Sequence, residues 1–397
     1  MKVGIYCDSG INGGHEEMLK RFMLALVQSA EIDALHIFVP RDNAALFRYV
    51  VDLARDHRKV QTIALPYTAE SIRGNLWAML RMSRSTAAIL RDLRLHKLLI
   101  AQGTIVSGLA GLFAARLSGT RSVSYLPLVD DSPKSTRFID KVKWLAKRGV
   151  YRMPNEYVTL NEHLRAKLRL LAPRAHTMIL ENYVDPRFGH STLTRSEARA
   201  KLGLPDDGTR IIAHIGRVDF EHKRHDFLLE SIERHAAAFQ RTIVIIIGEG
   251  PDSARLAAMV EASPVLSECV RILGRKTDVL PYIVASDTLV LPSAFEGVPL
   301  VMIESILAER PIVVSRVSGL DAYLPNALLF PPGDHNAFVE RIFAASEVPV
   351  ASIAQEFRRR FSREVFDAQA QRVMTLPAPP ADTFDPASAP SPDVLKK

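Results

Sequence analysis

Short apolar runs alternate along the chain with longer stretches whose apolar positions recur every three or four residues. The short runs fit buried strands and the longer period fits helices with one apolar face, and their alternation is the pattern of parallel sheets built from strand-helix-strand units. In the first half Val3–Tyr6, Leu35–Val39, Val60–Leu65, Leu98–Ala101, Ser122–Tyr125 and Tyr157–Leu160 are predicted strands, with helices such as His15–Ser29 and Leu76–Leu95 between them. A polar stretch from about 186 to 196 leads into a short helix and the turn Pro205-Asp206-Asp207-Gly208, and the pattern then restarts. Arg210–Ile215, Thr242–Ile247, Val270–Leu273, Thr288–Leu291, Pro311–Val314 and Ala327–Phe330 are the strands of a second sheet, with helices such as Lys223–Glu233 and Pro299–Leu307. The fold class expected is α/β, with one domain over 1–188 and a second over 189–352. A terminal helix over 353–374 is expected to pack back on the first domain, and 375–397, rich in Pro, Ala, Ser and Asp, reads as a disordered tail.

With 397 residues, 47% of them hydrophobic and 24% charged, the chain can bury two cores. The longest uncharged run, Leu98–Ala115, is interrupted by Gln102, Gly103, Thr104, Ser107, Gly108 and Gly111, which predicts strand, turn and buried helix in place of a membrane span. Met1–Tyr6 lacks the apolar core of a signal peptide. Two cysteines, Cys7 and Cys269, exclude a disulfide scaffold or a four-cysteine zinc site and fit a reducing compartment, so the expected location is cytoplasmic.

The net charge of +7 is unevenly spread: residues 1–190 hold 28 Lys/Arg against 17 Asp/Glu (+11), and the remainder 23 against 27 (−4). The first half is therefore expected to meet something anionic, a phospholipid surface or a phosphorylated substrate. No zinc-finger spacing or RNA-binding signature supports nucleic acid as that partner. Between 134 and 152, Lys134, Arg137, Lys141, Lys143, Lys147, Arg148 and Arg152 interleave with Phe138, Val142, Trp144, Leu145 and Val150 against the single acid Asp140. Such a basic amphipathic helix suits peripheral contact with an anionic membrane; the alternative is a solvated face over a core helix.

Four constellations carry candidate chemistry. After the strand Thr288–Leu291, Phe295-Glu296-Gly297-Val298-Pro299-Leu300 opens a helix that carries Glu304 within an apolar stretch. Gly297 lets backbone approach a ligand, Pro299 suits a first helical turn, and the N–H groups there can receive oxygens. A carboxylate at Glu304 needs a partner. After Arg210–Ile215, Arg217 and Lys223 can converge on one diphosphate, the Arg as a fork and the Lys as a point charge; the bland alternative is a charged helix entrance. His222 and His225 beside acids suggest a metal only weakly, since cations adjoin them. Gly248-Glu249-Gly250-Pro251 and Gly274-Arg275-Lys276 each follow a strand, and the first lacks the third glycine of a dinucleotide fingerprint. Gly10-Ile11-Asn12-Gly13-Gly14-His15-Glu16 after the first strand is either a phosphate-facing helix start or a tight turn.

Glu296-Gly297-x-Pro299-x-x-x-x-Glu304 resembles the signature of retaining glycosyltransferases of family 4, and the other motifs fall in that family's order. The resemblance implies a GT-B fold, two Rossmann-like domains facing a central cleft. It implies that Glu304 binds the ribose hydroxyls of a UDP- or GDP-sugar, that Glu296 faces the sugar, and that Arg217 and Lys223 hold the pyrophosphate, with Arg217, Lys223 and Glu296 as the catalytic set. Gly248 and Gly250 would line the nucleotide site, Gly274 and Arg275 would lie near the base, and Gly297, Val298, Pro299 and Leu300 would complete it. Gly13 and Gly14 would face the distal phosphate, with Asn12 and Glu16 nearby. Thr159-Leu160-Asn161-Glu162 resembles the family's Ser/Asn-Glu turn, and Ile179–Asp185 its crossover between domains. Many members carry a His after the strand corresponding to Ser122–Tyr125, where this chain reads Tyr125-Leu126-Pro127-Leu128-Val129-Asp130; Tyr125 or Asp130 could stand in. No cofactor or metal is expected, because two cations can stabilise the leaving diphosphate and no Asp-x-Asp motif is present. The acceptor expected is a glycan or lipid-linked glycan of surface polysaccharide or lipopolysaccharide assembly, at the cytoplasmic face of the inner membrane. A scaffold that binds nucleotide sugar or glycan without catalysis, and a nucleotide-sugar epimerase of the same architecture, are the competing readings.

Overall fold

The computed structural model describes residues 1–10, 14–129 and 138–377. The chain forms two α/β units: Met1–Asn182 together with the chain from Glu364 on, and Tyr183–Arg363.

The first unit is built on a seven-stranded parallel sheet in the order β3-β2-β1-β4-β5-β6-β7, with strands β1 (Lys2–Tyr6), β2 (Ala34–Pro40), β3 (Val60–Leu65), β4 (Lys97–Ala101), β5 (Ser122–Tyr125), β6 (Glu156–Thr159) and β7 (His176–Ile179). Helices α1 (Gly14–Gln28), α2 (Ala44–Asp56), α3 (Leu76–Leu93), α4 (Leu109–Ser118), α5 (Phe138–Tyr151) and α6 (Glu162–Leu171) connect them. β4 is buried along its whole length and β1 from Val3 on, which is why Leu98–Ala101 and Val3–Tyr6 read as apolar runs. Tyr6, Phe38, Leu90, Leu98, Ile100 and Leu112 form a core between sheet and helices. The uncharged run Leu98–Ala115 is divided among β4, a turn and α4, and among the described residues no helix is long and apolar enough to cross a membrane.

The second unit has a six-stranded parallel sheet, β10-β9-β8-β11-β12-β13, with strands β8 (Arg210–Ile215), β9 (Thr242–Ile247), β10 (Val270–Gly274), β11 (Thr288–Leu291), β12 (Ile312–Ser315) and β13 (Leu329–Phe330). Its helices include α7 (Arg195–Leu202), α8 (Phe220–Lys223) and α9 (His225–Arg234). Phe227 of α9 stacks on Phe330 with ring centres 5.8 Å apart and tilts against Phe338 at 5.3 Å, joining helix, edge strand and a later helix in one aromatic core.

Three expectations differ from the structure. The units part at 182/183, ahead of the expected 188/189. The terminal helix of 353–374 is two helices, Val350–Arg360 in the second unit and Arg363–Thr375, which returns to the first. That last helix buries Phe366, Ala370, Val373 and Met374; the Val373 carbonyl accepts from Lys97 Nζ at 3.0 Å, and Gln371 donates to the Ala25 carbonyl at 2.9 Å. The single helix expected over Lys223–Glu233 is likewise divided, because Arg224 takes the left-handed conformation (φ +55°) between α8 and α9. The expected tail beyond 377 and residues 134–137 of the basic segment lie outside the described residues.

Candidate functional site

In each sheet the strand order reverses between the first strand and the fourth, at β1/β4 and at β8/β11. Ligands of open α/β sheets bind beyond the carboxyl ends of the strands at that reversal. On one side of the β8/β11 reversal the ends of β8, β9 and β10 are joined main chain to main chain. Gly216 N donates to the Ile247 carbonyl at 2.9 Å, Val218 N to the Glu249 carbonyl at 3.2 Å, and Gly248 N to the Gly274 carbonyl at 3.0 Å. A Cβ on Gly248, whose φ is +147°, would meet the Gly216 carbonyl oxygen at 1.8 Å, and one on Gly250 would meet that of Val218 at 2.1 Å. The two glycines are thus required by loop-to-loop contact.

Glu296 lies in the loop after β11, and its carboxylate is buried. Lys223, at the end of α8, reaches it with Nζ–Oε1 2.6 Å, and His222 Nε2 lies 3.6 Å from the same oxygen. Burial would raise this carboxyl, but the Lys223 ammonium and the neighbouring His222 outweigh it and hold the pKa near 2. Four contacts fix the arrangement. Asp219 caps α8 through His222 N at 3.1 Å, and the Ala294 amide donates to the His222 carbonyl at 2.8 Å. The His222 ring is stacked on Phe295, 4.3 Å between centres and 2° from parallel, and the Glu296 amide donates to Ser318 Oγ at 3.3 Å.

Of the expected donor-site residues, Arg217, Lys223, Gly248, Gly250, Gly274, Arg275, Glu296, Gly297, Val298, Pro299, Leu300 and Glu304 all lie in the second unit at or beyond its strand ends. Arg217 and Arg275 are exposed, Gly297 to Pro299 are buried, and Glu304 is half-buried in the helix Leu300–Leu307, whose N-terminus carries no side-chain cap. Sequence reasoning missed Ser318, the partnership of His222 with Phe295 and Glu296, and a buried imidazole pair. His214 of β8 and His225 of α9 lie 4.3 Å apart beside the Lys223 backbone, and burial pushes the pKa of both down, that of His225 to about 4. His222 and His225, read together as possible metal ligands, therefore engage separate partners.

In the first unit the reversal lies between β1 and β4, and Asp8 bridges the loops that follow them. Its carboxylate accepts from Tyr6 Oη at 3.1 Å and from the Gly108 amide at 3.2 Å, while Tyr6 Oη lies 2.8 Å from Tyr67 Oη. Burial lifts the Asp8 carboxyl to about 6 despite both donors. Gly14 opens α1, Glu16 is buried within it, and Tyr125 is buried at the end of β5 with its hydroxyl pKa raised by burial. Asn12, Gly13 and Asp130 lie outside the described residues.

Comparison with known proteins places this geometry. Residues 209–347 match the family model Glycosyl transferases group 1. The 2-deoxystreptamine glucosyltransferase of Streptomyces kanamyceticus is 27% identical over 229 residues, 55% of this chain and 58% of its own. A UDP-Gal:alpha-D-GlcNAc-diphosphoundecaprenol alpha-1,3-galactosyltransferase of Escherichia coli is 26% identical over 115 residues, 28% of this chain and 30% of its own. The chain thus spans little more than half of the first relative and under a third of the second. Among solved structures, Anabaena HepE in complex with UDP-glucose superposes with a TM-score of 0.73 at 16% identity, covering 95% of this chain and 100% of that one. The protein therefore has the GT-B fold of two Rossmann-like domains, and its second domain is similar to the group 1 glycosyl transferases.

Proposed function

We propose that the protein is a retaining glycosyltransferase of the family 4 type, which moves a sugar from a UDP- or GDP-sugar to a glycan or lipid-linked acceptor in surface polysaccharide or lipopolysaccharide assembly. The observation that carries this reading is the buried Lys223–Glu296 pair, with exposed Arg217 in the loop after β8, beyond the strand-order reversal of the domain matched by the group 1 model. Lys223 spends one N–H on Glu296 and has two left for diphosphate oxygens; exposed Arg217 supplies a fork on the same loop. Glu296, ionised at every physiological pH, accepts from sugar hydroxyls. In the proposed step the bond from the sugar's anomeric carbon to the diphosphate oxygen breaks as the acceptor oxygen bonds to the same face. The acceptor's proton passes to the departing diphosphate, so the protein needs charge stabilisation and positioning more than a general base. Metal independence belongs to the same proposal. The first half's charge of +11 and the E. coli relative's diphosphoundecaprenol acceptor support a lipid-linked substrate and peripheral contact of the basic segment 134–152 with the cytoplasmic face of an inner membrane.

The test is thermal unfolding with UDP and GDP, followed by donor turnover. A nucleotide at about 100 times its dissociation constant adds about 2.7 kcal/mol. A shift with one nucleotide, lost in Glu304→Ala, and loss of turnover in Arg217→Ala and Lys223→Ala are expected. Wild-type turnover in either cation variant refutes the assignment, and nucleotide binding with no turnover of any donor favours a non-catalytic scaffold.

A further inference from the structure

Helices that bury one face and expose the other normally expose polar residues. Two helices of the first unit break this rule. On α5, Val142, Leu145, Ala146 and Gly149 are exposed at i, i+3, i+4 and i+7, with Leu145 68% exposed, while Trp144, Val150 and Tyr151 turn inward. Lys141, Lys143, Arg148 and Arg152 are exposed beside that apolar stripe. On α3 the first turn presents Leu76 and Trp77 to solvent, Trp77 at 82%. That turn is a well-formed helix start, because Asn75 Oδ1 accepts from Ala78 N at 2.9 Å, and it contains no acid. Arg73, Arg81 and Arg84 are exposed around it, and residues 72–84 hold no Asp or Glu.

Topology starts both helices at one edge, with the first turn of α3 at that edge and the α5 stripe running back from it along the helix layer. α3 follows β3 and α5 follows β5, and in an all-parallel sheet both helices begin at the carboxyl ends of the strands. Both also lie on the same face of the sheet, since Met79 and Met82 of α3 and Val150 of α5 pack against one buried cluster that includes α4. Exposed Val106, in the loop between β4 and α4, lies at that edge as well.

We propose that the first turn of α3 and the outward stripe of α5 form one docking surface for an anionic lipid bilayer, with Trp77 seated among the headgroups. The proposal rests on the reading of segment 134–152 as a membrane contact and extends it to a second element. Apolar side chains set between cations are what an interfacial helix presents to anionic lipid, and a Trp ring suits the headgroup level. The positive helix start of α3, with no acid to offset it, adds attraction for the same charge. Because the carboxyl edge of a parallel sheet is also its ligand-binding edge, docking there would present that edge to headgroups carried by the bilayer.

The full chain contains two tryptophans, so Trp144→Phe leaves Trp77 as the only indole reporter. Its emission and acrylamide quenching are measured with vesicles of phosphatidylcholine alone and with added phosphatidylglycerol, beside flotation of the wild type, Leu76→Ser/Trp77→Ser and Lys141→Ser/Lys143→Ser. The expected result is a blue shift and loss of quenching with phosphatidylglycerol vesicles only, weaker flotation of the α3 variant, and a roughly 25-fold weaker partition of the α5 variant, fivefold per cation. If the α5 variant loses binding while Trp77 stays quenchable on bound protein, the α3 contact is wrong and the α5 contact stands. If the wild type floats with neither vesicle, both fall. Concentration-dependent shielding of Trp77 without vesicles would make the surface an interface between two copies of the chain and overturn the proposal.

Discussion

Removing the cation from the Lys223–Glu296 pair, as in Lys223→Met, has a consequence whose size and pH dependence both follow from the site. The Glu296 carboxyl titrates near 2 in place of its ordinary 4.5. That difference of about 2.5 units, at 1.36 kcal/mol each, makes ionised Glu296 worth about 3 kcal/mol to the folded state. The sign follows from the lowered value. The contribution is complete above about pH 4.5, falls to roughly half by pH 3, and vanishes as pH passes below 2. In Lys223→Met the buried carboxylate keeps its desolvation and loses its nearest cation, and removing one partner of a buried pair typically costs 3–5 kcal/mol. For a unit the size of Tyr183–Arg363, a loss of about 3 kcal/mol lowers the melting temperature by roughly 6–12 °C. The assay is thermal unfolding of wild type and variant from pH 7 to pH 3, with Lys223→Met/Glu296→Gln as the compensating pair. The difference should be largest at pH 7, shrink toward pH 3, and be mostly recovered in the double variant. A variant as stable as wild type at pH 7, or a deficit that does not change with pH, would show that the pair does not hold the loop.

Two further outcomes can be checked on the same chain. Gly250→Ala drives a methyl against the Val218 carbonyl and should destabilise the second unit by roughly 2–4 kcal/mol while weakening nucleotide binding; normal melting with normal binding would mean the loops are not interlocked. Asp8 titrates near 6 against an ordinary 3.8 because it is buried, so the folded state holds its proton more tightly and ionisation erodes stability as pH rises through 6. Asp8→Asn, whose Oδ1 keeps the acceptor for the Gly108 amide and whose NH2 can donate to Tyr6 Oη, should therefore add about 2–3 kcal/mol at pH 8 and little at pH 4, and an equal effect at both would rule out titration as its cause.

What could be read from the chain and what could not divide along physical lines. β9, Thr-Ile-Val-Ile-Ile-Ile, is covered on both faces, and its apolar run names it as a strand without help from distant residues. β7 is only four residues, His-Thr-Met-Ile, and just one of them is buried, so it leaves no periodic trace. The division between α8 and α9 rests on the left-handed backbone of Arg224, which Lys-Arg-His-Asp does not announce. The two ends of the Glu296 motif were visible because glycine, proline and carboxylate occur there at fixed spacing. The partners of Glu296 were not, since Lys223 lies 73 residues away and Ser318 beyond the next strand, and sheet order alone brings them together. The link from Asp8 through Tyr6 to Tyr67 is hidden for the same reason.

The return of Arg363–Thr375 to the first unit has a consequence for synthesis. The second unit is continuous in sequence, whereas the first lacks the side chains of Phe366, Ala370, Val373 and Met374 until translation has passed them. At 5–20 residues per second, the interval between residues 182 and 375 is roughly 10–40 s. Throughout it the Lys97 ammonium, paired with Glu156, is without the Val373 carbonyl, and the groove for the last helix is uncovered. The unit whose strands leave the ribosome first is thus the one finished last, and the nascent chain depends on the still-open first unit remaining soluble while the second folds beside it.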